Sequence, residues 1–132
     1  MTTTATKTRT ITLSGKPPIR IREDDWPVIA HGTYEWFDNR YRSQAFRTTD
    51  LDVRVRQHAD GRAIVYGVYD YSTAWQGERS NVQRVGDVVD AGGDLVAAIQ
   101  RVGSDLVDRG VDASTVRDVV NECIATLPAQ EL

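Results

Sequence analysis

A chain of 132 residues with 40% hydrophobic residues, 27% charged residues and a net charge of −3 holds enough apolar material for one core and lies outside the composition of disordered chains. Its single cysteine, Cys123, excludes an intramolecular disulfide and a paired-cysteine zinc site, and fits a reducing, cytoplasmic compartment. No run approaches the roughly eighteen apolar residues of a membrane span, the start lacks the apolar core of a secretory signal, and no basic excess of the kind phosphate contacts demand is present.

Residues 1–9, rich in threonine, offer no packing pattern and read as a flexible tail before a single α+β domain over 10–132. Alternation from Thr10 to Leu13 predicts a short strand and Ser14-Gly15-Lys16-Pro17-Pro18 a turn. A second strand follows from Ile19 to Arg22, with Ile19 and Ile21 inward and Arg20 and Arg22 outward. Glu23-Asp24-Asp25 and Pro27 end it, because proline holds Trp26 in an extended or turn conformation. Val28 to Trp36 reads as a third strand, and Asn39 to Thr49 as a polar loop or short helix.

The clearest β pattern runs from Leu51 to Tyr71, a hairpin in which Val53 and Val55 alternate with Arg54 and Arg56 and the chain reverses around Gly61. The unbroken apolar run from Ala63 to Tyr69 predicts a central strand covered on both faces. Ser72 to Asp90 is polar and reads as an excursion that Val82, Val85 and Val88 could convert to a strand. The period then changes to helical. Leu95, Ile99, Val102 and Leu106 mark a helix over 94–109, capped by Asp94 and ended by Gly110. Val116, Val119, Val120, Cys123, Ile124 and Leu127 mark another over 113–127, capped by Asp112 and stopped by Pro128. Strands first and helices last predict an antiparallel sheet with a C-terminal helical hairpin packed on one face.

Catalytic chemistry finds little support in these residues. His31 and His58 have no second ligand at metal-binding spacing, and Cys123 sits on an apolar stripe where a buried, quiet thiol is expected. Glu23-Asp24-Asp25 is a solvated turn, since neighbouring side chains in a turn diverge, and Gly92-Gly93-Asp94 lacks the Lys and Ser/Thr of a phosphate loop. The reading is therefore a non-enzyme without metal or cofactor.

Two charged surfaces remain. Arg20, Arg22, Arg54 and Arg56 could share one sheet face beside Tyr66, Tyr69, Tyr71 and Trp75, forming a nucleic-acid platform of guanidiniums and rings; ordinary outward arginines on half-exposed strands give the same pattern. The second surface is acidic. Residues 1–70 hold eleven Lys/Arg against nine Asp/Glu, and residues 71–132 five against ten. Asp105, Asp108 and Asp112 of that acidic half could dock a partner protein with a basic surface; a solvated helix face with caps is the ordinary alternative.

The stretches Ile11–Ala30 (ITLSGKPPIRIREDDWPVIA), Arg54–Arg62 (RVRQHADGR) and Cys123–Pro128 (CIATLP) resemble small accessory proteins encoded on proteobacterial plasmids and integrative mobile elements. In size and in lacking catalytic motifs the chain is also similar to anti-CRISPR proteins. The resemblance carries no catalytic residue. It implies a non-enzymatic protein that occupies a host or element protein, as an anti-defence inhibitor does, with a small nucleic-acid-binding regulator as the alternative.

Overall fold

The computed structural model describes residues 7–38, 47–75 and 77–129. β1 (Thr8–Ile11) and β2 (Ile19–Arg22) form an antiparallel hairpin, and a 3-10 turn at Glu23–Asp25 follows. β3 (Val28–Asp38), β4 (Arg47–Gln57), β5 (Ala63–Thr73) and β6 (Asn81–Val89) make an antiparallel four-stranded sheet in chain order. α1 (Leu95–Asp108) and α2 (Ala113–Ala125) pack on that sheet as a helical hairpin, giving the expected α+β fold.

The strands run further than the sequence pattern suggests. Arg47–Thr49, expected in a loop, belong to β4 and pair with Thr73, Ser72 and Tyr71. Two β-branched threonines and a partner strand suffice where apolar alternation is missing. The polar segment after Tyr71 yields β6, because β5 needs a neighbour on each side to satisfy its backbone and Val85 and Val89 reach the core. Pairing starts at Thr8, opposite Arg22, so Thr8 and Arg9 are strand rather than tail. Residues 1–6 of the expected tail, and 39–46 of the expected loop, lie outside the described residues.

Side-chain alternation sorts the sheet into two faces. On one, Leu51, Val53, Val55, Ala63, Val65 and Val85 pack beneath Ile99, Val102 and Leu106 of α1 and Val116, Val119 and Cys123 of α2. Close approach depends on two glycines: a Cβ on Gly32 would lie 2.1 Å from the Val119 carbonyl oxygen, and one on Gly67 would lie 2.9 Å from Val102 Cγ1. On the other face Ile64 and Tyr66 lie beneath Ile11, Leu13 and Ile21 of the N-terminal hairpin. The first half of β5 is thus covered from both sides, as its apolar run predicts.

The helix ends follow from their caps. Asp94 accepts from the Ala97 N–H at 3.0 Å, and Asp112 does the same for Thr115 at 3.0 Å. Gly110 takes φ 94°, and the Val111 N–H returns to the Leu106 carbonyl at 3.0 Å, closing α1 with a contact between two core residues.

Candidate interaction surface at the uncovered end of the sheet

The four arginines do not share a face. Ile21 points into the core between the layers, so Arg20 and Arg22 stand on the solvent side of the N-terminal hairpin. Arg54 and Arg56 belong to the other sheet and lie on the face carrying Ile64 and Tyr66. Arg56 is only 5% exposed; its Nε donates to the Tyr66 hydroxyl at 2.9 Å and its Nη1 to the Trp26 carbonyl at 3.1 Å. Tyr66 is therefore a buried hydrogen-bond partner, and Tyr69 and Tyr71 sit on the opposite face. The hairpin layer separates the two halves of the expected platform.

The acidic helix residues are also differently placed from one another. Asp105 lines a cleft with Lys16 and Arg101, whereas Asp108 lines the outer groove between the helices with Arg117, so the two do not form one acidic patch. Asp112 is committed to capping: its Oδ2 also accepts from the Ser114 hydroxyl at 2.7 Å and the Thr115 hydroxyl at 2.9 Å. The bond from Ser114, followed by those from Thr115, holds its carboxyl below the usual carboxylate range.

Of the remaining titratable groups, His31 pairs with Asp52 at 2.8 Å, and His58 packs against the Trp26 ring with centroids 5.0 Å apart. Cys123 is fully buried, and burial pushes its thiol up to about 11. Among the described residues, no group of His, Cys, Asp and Glu is arranged to hold a metal ion, and no helix is long and apolar enough to cross a membrane.

A different surface stands out once the layers are in place. The four strands extend beyond both covering layers. On the helix side the last row under cover is Leu51, Tyr69 and Gln83, with Tyr34 opposite Leu51 left exposed at the edge, and Arg109 Nη1 at the end of α1 donates to Gln83 Oε1 at 3.1 Å. Trp36, Thr49 and Tyr71 form the next row, and Tyr34 and Trp36 are 38% and 39% exposed. On the reverse side Glu35, Asp50 and Asp70 lie directly opposite one another across three adjacent strands, next to Phe37, which is 61% exposed. Among the described residues no cation lies within ion-pair distance of these three carboxylates. Like charges placed opposite one another oppose pairing.

The end of this overhang is braced. Arg47 donates through Nε to Glu78 Oε1 at 2.7 Å, the Tyr71 hydroxyl donates to Glu78 Oε2 at 2.8 Å, and the Arg47 guanidinium lies 4.0 Å from the Trp75 ring centroid. These hydrogen bonds hold the Glu78 carboxyl low, and the one from Tyr71 holds that phenol high. The connection from β5 to β6 is thereby fixed to the start of β4.

Sequence reasoning missed Tyr34, Glu35, Trp36, Phe37, Asp50 and Asp70. The signal was present in the two-residue spacing of Tyr34 and Trp36 and of Asp50 and Asp52, which puts each pair on one face of a strand. Only the register between strands brings Glu35, Asp50 and Asp70 into one row. No protein-family model matches the chain, and no curated protein or solved structure matches it.

Proposed function

We propose that this is a non-enzymatic protein-binding module that docks a basic protein surface on the overhanging end of its sheet. The observation that carries the reading is the row Glu35, Asp50 and Asp70, kept together at a cost to pairing and flanked by the exposed rings of Phe37 and, across the sheet, Trp36. Exposed aromatics supply contact area at low entropic cost, and the carboxylates select for and steer a cationic partner. The likeness to accessory proteins of mobile elements fits an inhibitor that works by covering a host protein's surface. The helix residues Asp105 and Asp108 are a secondary candidate, divided between two different clefts, and Asp112 serves the fold.

A nucleic-acid role through Arg20, Arg22, Arg54 and Arg56 has less support, since Arg56 is buried and the overhang would repel phosphate. The deciding experiment compares capture of binding partners from host lysate by the native protein, by Asp50→Lys with Trp36→Ala, and by Asp105→Lys with Asp108→Lys. Loss of capture in the first variant alone is expected, with no salt-sensitive gel shift of single- or double-stranded nucleic acid. Capture that survives the first variant and fails in the second would return the site to the helices. A gel shift lost on replacing Arg20 and Arg22 would sink the protein-docking reading.

A further inference from the structure

We propose that the open edge of β3 takes up an extended segment of a partner protein as an antiparallel fifth strand, with Lys or Arg at alternate positions and apolar residues between them. The proposal rests on the protein-binding reading above and specifies its chemistry. His31 sets the register of the edge: its N–H turns away from β4 and reaches the Thr126 hydroxyl at 2.9 Å. Pairing with β4 is unbroken from Ala30 to Asp38. The N–H and C=O groups of Thr33, Glu35 and Phe37 therefore point outward as well. Among the described residues, none of these backbone groups has a hydrogen-bond partner.

The other edge is occupied at three points. On β6 the Arg84 carbonyl accepts from the Ser14 N–H at 2.8 Å, and the Gly86 carbonyl accepts from Lys16 Nζ at 2.7 Å. The Val88 N–H donates to the Asp87 carboxylate at 2.9 Å. An edge left open over several residues is a template for pairing with another chain. On β3 that open stretch coincides with the exposed rings.

Charge identifies the occupant. Side chains of an added strand alternate between faces, so one set stands beside Glu35 with Asp50 behind it, and the other beside Tyr34 and Trp36. Cations complement the first set and apolar groups the second. A second copy pairing through the same edge would merge two acidic faces, and a nucleic acid would set phosphates against carboxylates.

The test uses a synthetic octapeptide of alternating Lys and Val, titrated against the full-length protein and followed by amide NMR. Residues directly opposite share a face, so the lysine amides would be the ones that bond Thr33, Glu35 and Phe37. N-methylation at the lysines should weaken binding at least tenfold, and N-methylation at the valines should not. A Glu–Val peptide should not bind, and Thr33→Pro, which removes an N–H the sheet does not use, should weaken binding as lysine methylation does. Equal affinity for both methylated peptides would overturn strand addition and leave side-chain docking standing. So would failure of every peptide while lysate capture remains sensitive to Asp50→Lys. Loss of both peptide binding and capture would remove both readings. A dimer in sedimentation equilibrium that Thr33→Pro abolishes would assign the edge to a second copy and overturn the proposal.

Discussion

Arg56 is a buried charge that serves the hairpin side of the sheet. Its guanidinium is buried on the hairpin side, bonded to a phenol and a carbonyl, with no carboxylate in ion-pair range among the described residues. Removing it strands both acceptors, so Arg56→Ala should cost about 2–4 kcal/mol, more than a surface arginine would, read as a lower urea midpoint at constant slope. A loss under about 0.5 kcal/mol would mean that water replaces the guanidinium freely. Cys123 makes the opposite kind of statement. Burial raises its thiol to about 11 in the folded chain, above the ordinary value of 9.0. The unfolded chain therefore ionises first as pH rises, and stability present below pH 9.0 falls away towards about 11. That alkaline loss should be smaller in Cys123→Ala, and an unchanged pH profile would show that other groups cause it.

At the level of elements, the glycines set how deeply each helix can settle. Gly32 faces backbone of α2, which cannot move alone, whereas Gly67 faces the ends of Val102 and Leu106, which can change rotamer. Gly32→Ala should therefore destabilise by about 1–3 kcal/mol or more and exceed Gly67→Ala, a comparison thermal unfolding can make directly. The reverse order would place α2 further from β3 than the structure has it. The same elements explain what the sequence could and could not tell. Helix period, the Asp94 and Asp112 caps and the Ala63–Tyr69 run each declare themselves within a few residues, and they are where the reading and the structure agree. Arg47–Thr49 and Asn81–Val89 form strands because of their neighbours, a non-local cause that local pattern does not carry. The arginine platform failed for a related reason: alternation gives the face of a strand but not which layer lies on top of it.

Over the whole sheet, one end is packed from both sides and the other is covered by neither the helices nor the N-terminal hairpin among the described residues, and the acidic row lies at that second end. The covered end has Val53, Val55, Ile64 and Val65 at its centre; the other end sets Glu35, Asp50 and Asp70 side by side. A row of carboxylates at that spacing works against the pairing that holds β3, β4 and β5 together, so it is poorly explained by stability. Asp50 sits between the other two, and Asp50→Lys would turn two repulsive cross-strand neighbours into two attractive ones. The fold should gain about 0.4–2 kcal/mol at low ionic strength, with the gain shrinking as salt is added, while capture of a basic partner is lost. Thermal unfolding at two salt concentrations, run beside the capture assay, separates the possibilities. A variant that is both more stable and inactive marks the row as a binding surface, whereas one that is less stable at low salt would show that Asp50 serves the fold and would withdraw the row from the site.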